Sequence, residues 1–119
     1  MNGISVIIPT YQREKEVQLA MDSVKNQGYL IEFIIKSEKG NVSSLINQAV
    51  CESHYDYILI MDDDATIEDH FINEAIKTFD LDPQIAIVFG YVSDGDFVKT
   101  YNLKNPDIIQ YTGSFYGCA

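Results

Sequence analysis

The sequence predicts an α/β protein whose mostly parallel sheet carries helices on both faces. Apolar, β-branched runs alternate with helical patterns four times along the chain, and this order is typical of a parallel sheet. Polar clusters directly follow the first and third runs, and ligands bind at the carboxyl ends of the strands in this class. The 119 residues are enough for one domain with a single core.

The first strand–helix unit begins with the β-branched run from Ile4 to Ile8, which Pro9 closes. This run predicts a buried strand. Arg13 to Asn26 predicts a helix that ends at Gly28. Its apolar residues recur at helical spacing, at Val17, Ala20, Met21 and Val24.

The second unit begins with Ile31 to Ile35, which predicts a strand. A polar turn from Lys36 to Asn41 leads into a helix. The apolar stripe of that helix is Val42, Leu45, Ile46, Ala49 and Val50.

The third unit begins with Tyr57 to Met61, which predicts a strand. Thr66, with Asp69 three positions later, predicts a capping box that opens the next helix. The apolar side of that helix is Phe71, Ile72, Ala75, Ile76 and Phe79.

The remaining elements are shorter. Ile85 to Tyr91 predicts a fourth strand, and Asp94-Gly95-Asp96 predicts a turn. Phe97 to Asn102 predicts a fifth strand that pairs back on the fourth, and we expect residues 108–119 to be extended.

A formal net charge of −10 argues against a nucleic-acid surface, which needs clustered basic residues. It also disfavours an anionic ligand unless a cation lies between the ligand and the protein. No segment has the roughly 20 apolar residues that a membrane span needs. Cys51 and Cys118 lack a metal-binding or redox spacing. We therefore expect a reduced, cytoplasmic protein that is peripheral at the membrane at most. The alternative is a disulfide between the two cysteines. We expect Cys51 to be a small buried residue.

Three consecutive aspartates, Asp62, Asp63 and Asp64, directly follow the third strand. Like charges this close repel each other, so we expect none of them against the core. Because strand residues alternate in direction, Asp62 and Asp64 point one way and Asp63 points the other. Oxygen ligands are those that Mg²⁺ and similar hard cations prefer, so Asp62 and Asp64 predict a divalent metal site. The alternative is a charged turn that helps to cap the following helix.

Three motifs resemble glycosyltransferase family 2, which has the GT-A fold with its Rossmann-like nucleotide-sugar-binding half. Residues 5–13, SVIIPTYQR, are similar to the family's opening motif. Residues 40–49, GNVSSLINQA, are similar to its glycine-serine-asparagine helix, and residues 57–64, YILIMDDD, resemble its Asp-x-Asp strand. The motifs occur in the family's order and together cover about residues 4 to 90.

The resemblance implies a nucleotide-sugar donor and a Mn²⁺ or Mg²⁺ cofactor. It implies that Asp62 contacts the ribose or the sugar, and that Asp64 binds the metal that bridges the diphosphate. Asp63 and Asn47 belong to the same expected donor site. For Asn47 the alternative is a polar residue that bonds to a neighbouring loop.

The opening motif would hold the nucleoside. Tyr11 offers an aromatic face to the base, and the backbone of Pro9 and Thr10 offers amide and carbonyl groups to its edge. Arg13 would reach a phosphate, or it is a solvated residue of the first helical turn. For Tyr11 the alternative is an aromatic ring packed at the edge of the first helix.

The chain also departs from the family pattern. The second strand, Ile31 to Ile35, leads directly into the asparagine helix, where the family has Asp-Asp-Gly-Ser and a further helix and strand. No residue is assigned as the catalytic base, because Asp94 and Asp96 have the pattern of turn residues. We expect one nucleotide-sugar-binding domain over residues 1–119, or the N-terminal part of a longer transferase. Its glycan, lipid or protein acceptor is unknown, and open strand edges make a homo-oligomer a hypothesis.

The function that the resemblance implies is metal-dependent, inverting transfer of a sugar from a UDP-sugar to an acceptor hydroxyl, or the donor-binding part of that reaction. One alternative is a haloacid-dehalogenase-type phosphatase, whose Asp-x-Asp-x-Thr signature Asp62, Asp64 and Thr66 resemble. Against it, 56 residues precede Tyr57, whereas that signature normally sits on the first strand. Another alternative is a non-catalytic relic that binds a nucleotide.

Overall fold

A computed structural model describes residues 3–88, 92–94 and 97–99 of the chain. The strands and helices follow in the order β1 (Gly3–Thr10), α1 (Glu14–Lys25), β2 (Leu30–Ser37), α2 (Val42–Glu52), β3 (Tyr57–Ile60), α3 (Phe71–Leu81), β4 (Val92–Asp94) and β5 (Phe97–Lys99). The predicted α/β class is therefore confirmed.

The main sheet has the strand order β2-β1-β3, and both pairings are parallel. Ile7 at the centre of β1 lies opposite Ile34 on one side and Ile60 on the other. Because β1 is flanked on both sides, its residues 3–8 are all buried. An apolar, β-branched run suits a strand that is covered on both faces.

The two faces of the sheet are covered by different helices. Ile4, Val6 and Ile8 of β1 pack into one apolar cluster with buried residues of α1 and α3. α2 contacts β1 and β2 and buries Leu45 and Ala49 outside that cluster. Since alternate strand residues face opposite ways, α2 covers the face towards which Ser5 and Ile7 point.

The predicted stripe of α1 is confirmed, because Val17, Ala20 and Val24 are buried and Met21 packs against the same cluster. The stripe of α2 is only half buried: Val42 and Val50 are 54% and 40% exposed. Cys51, expected to be buried, is exposed on α2. Val42 and Val50 therefore lie outside the surface that α2 packs against the sheet.

The predicted capping box is wrong. α3 begins at Phe71, and its N-cap residue is His70, which has a left-handed backbone (φ 68°) and makes no side-chain cap bond. Thr66 lies in the non-helical segment before it. The helix is capped instead by the side chain of Gln27, which lies just beyond the end of α1.

The fourth strand, predicted from Ile85 to Tyr91, is not observed in the described part of that range. Residues 85–88 have no regular secondary structure, and 89–91 lie outside the described residues. β4 and β5 pair antiparallel, Asp94 opposite Phe97, so the predicted hairpin is present with its first strand shifted along the chain. The predicted extended stretch 108–119 lies outside the described residues.

None of the helices in the described part is long and apolar enough to cross a bilayer, the longest being the 12 residues of α1.

Candidate functional site

Three loops meet at the carboxyl ends of β1, β2 and β3 and enclose a cleft of about 490 Å³. Residues from all three loops and from the start of α2 line it: Pro9, Thr10, Tyr11, Arg13, Glu38, Lys39, Gly40, Val42, Leu45, Asp62, Asp63 and Asp64. The strand order explains the position. The chain runs from β1 outward to β2 and then crosses back to β3, and ligands of open α/β sheets bind where the strand order reverses in this way.

Asp63 joins the first and third of these loops. One of its carboxylate oxygens accepts a hydrogen bond from the Thr10 hydroxyl at 2.9 Å, and the other accepts one from the Arg13 guanidinium at 2.9 Å. The expectation that none of the aspartates lies against the core is wrong for Asp63, which is buried. Its burial is tolerated because a cation and a hydroxyl satisfy both oxygens.

Asp62 and Asp64 are exposed, in agreement with the predicted alternation, although both lie beyond the last residue of β3. Asp64 lies 3.7 Å from the Arg13 guanidinium. Partial burial, and then the neighbouring charges of Asp64 and Asp63, raise the pKa of Asp62. The surrounding protein therefore leaves the negative charge of Asp62 uncompensated.

The loop after β1 has an unusual backbone. Gln12 has a left-handed conformation (φ 55°), which is uncommon for a residue other than glycine. The conformation turns the chain so that Tyr11 is 48% exposed at the cleft and Arg13 reaches Asp63. The hydrogen bond and the charge of Asp63 raise the pKa of Arg13 above its usual value, so the guanidinium stays charged.

Sequence reasoning missed the second wall of the cleft. Glu38, Lys39 and Gly40, treated as a polar turn, line it together with Val42 and Leu45. The strand pairing explains the position of this wall, because β1 and β2 pair in parallel up to Thr10 and Ser37. The loops that follow two paired parallel strands must lie side by side.

The structure therefore brings six of the predicted donor-site residues together around one cleft: Pro9, Thr10, Tyr11, Arg13, Asp62 and Asp63. Asp64, predicted as a metal ligand, joins them. Asn47 is exposed on α2 and is not part of the cleft lining.

Two side chains at the carboxyl-terminal end of α1 also fix the acidic loop: Ser23 in the helix and Gln27 just beyond it. The Ser23 hydroxyl accepts a hydrogen bond from the backbone N–H of Ile67 at 3.1 Å. The Gln27 side chain donates to the carbonyl of Glu68 at 2.9 Å and accepts from the backbone N–H of Ile72 at 3.0 Å. These bonds fix the segment between the aspartates and α3.

A second carboxylate ties the strands together nearer the amino end of the sheet. Glu32 on β2 accepts hydrogen bonds from the Ser5 hydroxyl at 2.7 Å and from the backbone N–H of His54 at 2.9 Å. The His54 ring lies 2.5 Å from its other oxygen. These bonds, the Ser5 hydroxyl first, lower the pKa of Glu32 to about 2.

The donor set at the cleft fits a divalent cation of the hard, oxygen-binding kind. Among the described residues no three His, Cys, Asp or Glu side chains form a ready metal site. Mg²⁺, however, is usually bound by one or two carboxylates together with water and substrate phosphates. Asp62 and Asp64, exposed and close in the chain, supply that pair, while Asp63 is occupied by Arg13 and Thr10.

The fold and the cleft define an α/β protein with a ligand site at the carboxyl edge of a parallel sheet. The family model for glycosyl transferase family 2 matches residues 30–117, which is more than half of the chain, and the chain belongs to that family. It is thereby of the nucleotide-sugar transferase type. The match begins at β2 and includes the three aspartates but not residues 9–13. No match was found among curated proteins or among solved structures.

Proposed function

We propose that the chain binds a UDP-sugar in the cleft and supplies the donor half of a metal-dependent, inverting sugar transfer to an acceptor hydroxyl. One observation carries the proposal: an exposed aromatic ring, Tyr11, and two exposed carboxylates, Asp62 and Asp64, line the same cleft. A nucleoside diphosphate has a flat base at one end and a pair of phosphates at the other, and it needs both kinds of group.

The nucleoside end of the ligand would lie against the loop after β1. Tyr11 offers a ring face for stacking, and the backbone of Pro9 and Thr10 offers polar groups to the base edge. Val42, which is 54% exposed, lines the cleft from the side of α2. Aromatic and apolar groups with a few polar ones are the usual composition of a small-molecule site.

The diphosphate end would lie at the acidic loop. Asp62 and Asp64 would hold Mn²⁺ or Mg²⁺, with Asp62 also within reach of the ribose or sugar. When bound, the cation would neutralise the charge that develops on the departing nucleoside diphosphate. Asp62 has an electrostatic reason to bind a cation, because burial and two neighbouring carboxylates raise its pKa.

Calorimetric titration with UDP, with and without Mn²⁺, tests the proposal. We expect binding that depends on the metal, and we expect Asp62→Asn and Asp64→Asn to weaken it by about 10-fold or more, since even the partners of metal ligands typically matter to that extent. Asp80→Asn makes the same chemical change at an exposed position of α3 and serves as the control. Absence of metal-dependent binding at millimolar UDP would contradict the proposal.

Sugar transfer or hydrolysis of a UDP-sugar distinguishes an active donor domain from one that only binds. Release of sugar that needs the metal and both aspartates indicates catalysis. Binding without release indicates a nucleotide-binding relic. Release of phosphate from simple phosphate esters, lost in Asp62→Asn, indicates the phosphatase instead.

A further inference from the structure

We propose that Asp63 is a positioning residue that holds Tyr11 in place for the base, and that it is not itself a ligand of the donor. The inference rests on the proposed function and deepens it. The relevant observations are the hydrogen bonds of Asp63 to Thr10 and Arg13 and the backbone conformation of Gln12 between them.

The carboxylate of Asp63 closes a ring around the turn at residues 11–12. Thr10, just before the turn, donates to one oxygen, and Arg13, just after it, donates to the other, each at 2.9 Å. A single buried group from β3's loop therefore fixes both ends of the two-residue segment that carries Tyr11. Both ends of the segment are held, so its backbone has little freedom.

The backbone of the turn needs such support. Gln12 has a left-handed φ of 55°, and non-glycine residues persist in sparsely populated conformations only where the surrounding structure over-determines them. The bonds of Asp63 on either side supply that constraint. The strained residue is the direct neighbour of Tyr11, whose ring is 48% exposed and lines the cleft.

The same geometry separates the roles of the three aspartates. Both oxygens of Asp63 are bound within the protein, and its side chain is 12% exposed, whereas that of Asp64 is 58% exposed. A buried carboxylate with both oxygens engaged can orient its neighbours but has little capacity left for a ligand. Replacement of Asp63 should thus mainly affect recognition of the nucleoside. Replacement of Asp62 or Asp64 should mainly affect recognition of the diphosphate.

The test compares UDP with inorganic pyrophosphate, each titrated with Mn²⁺ present. We expect Asp63→Asn and Thr10→Val to raise the Kd for UDP by about tenfold, a loss of about 1.4 kcal/mol, and to raise the Kd for pyrophosphate much less. Thr10→Ser keeps the hydroxyl that bonds to Asp63 and should recover most of the UDP affinity that Thr10→Val loses. Asp80→Asn is the control for the change of charge. Equal weakening of both ligands would place Asp63 at the diphosphate and overturn the inference.

NMR relaxation of the unliganded protein tests the same inference without any ligand. In Asp63→Asn and Thr10→Val, we expect lower backbone order parameters for residues 11–13, while Thr10→Ser and Asp80→Asn leave them as they were. Unchanged order parameters in both disruptive variants would overturn the positioning role. If the unchanged protein binds neither UDP nor pyrophosphate, the proposed function fails, and the order parameters decide the role of Asp63 on their own.

Discussion

The side chain of Gln27, just beyond the end of α1, accepts a hydrogen bond from the backbone N–H of Ile72 at 3.0 Å and so caps the first turn of α3. The first N–H groups of a helix lack partners within it. The same amide donates to the carbonyls of Ser23 and Glu68 at 3.0 and 2.9 Å. One side chain thus connects two helices and the end of the acidic loop.

Replacement of Gln27 by alanine should lower the free energy of unfolding by about 1–3 kcal/mol, because it removes the cap of Ile72 and leaves that amide without its partner. Urea denaturation followed by circular dichroism measures the change. Gln18→Ala is the matched control, since it makes the same chemical change within α1, where the Gln18 side chain bonds to exposed Asp22. Equal effects of the two variants would show that the cap contributes nothing.

Asp62→Asn should stabilise the protein at pH 7 while it weakens metal binding. A carboxyl whose pKa is raised on folding favours the folded state only while it is protonated, so its ionisation costs stability as the pH rises above its ordinary pKa of 3.8. For an exposed group the gain should be roughly 0.2–1 kcal/mol. Denaturation at pH 7 and at pH 3 checks this, and the gain should vanish at the lower pH. A gain of the same size at both would refute the electrostatic explanation.

Glu32→Gln should remove part of the acid sensitivity of the fold. The pKa of Glu32 is lowered from 4.5 to about 2, so its ionised form stabilises the folded protein above pH 4.5, and that contribution disappears as the pH falls to about 2. The variant should be less stable than the unchanged protein at pH 7, and the difference should shrink through this range. Thermal melts at several pH values measure it. Glu68→Gln makes the same chemical change at an exposed position and serves as the control.

Gly3→Ala should be destabilising because of Tyr55. A Cβ at Gly3 would collide with the Tyr55 ring, and overpacking typically costs about 1–3 kcal/mol. Gly40→Ala is the control, since nothing lies within 4 Å of the Cβ it would add. The double variant Gly3→Ala, Tyr55→Ala should cost less than the sum of the single variants. Strict additivity in urea denaturation would contradict the predicted clash.

Local patterns predicted the parallel sheet, α1 and the edge at which the cleft lies, because periodicity is a property of short segments and alternation of strands with helices implies a parallel sheet. They did not predict the start of α3, because its cap, Gln27, lies 45 positions before Ile72. Nor did they predict the burial of Asp63, which depends on Arg13, 50 positions away. The wall at Glu38 to Gly40 was missed because a polar turn has no signature until its neighbouring strand is known.

The two bound carboxylates have a mechanical consequence for β1. Thr10 donates to Asp63 and Ser5 donates to Glu32, and these bonds fix the strand to its neighbours near both ends. The side of the cleft that β1 forms is therefore rigid. We therefore expect any rearrangement around a ligand on the opposite side, where Gly40 lines the cleft with nothing within 4 Å of an added Cβ. Substitutions at Gly40 should alter the kinetics of ligand binding while the sheet keeps its structure.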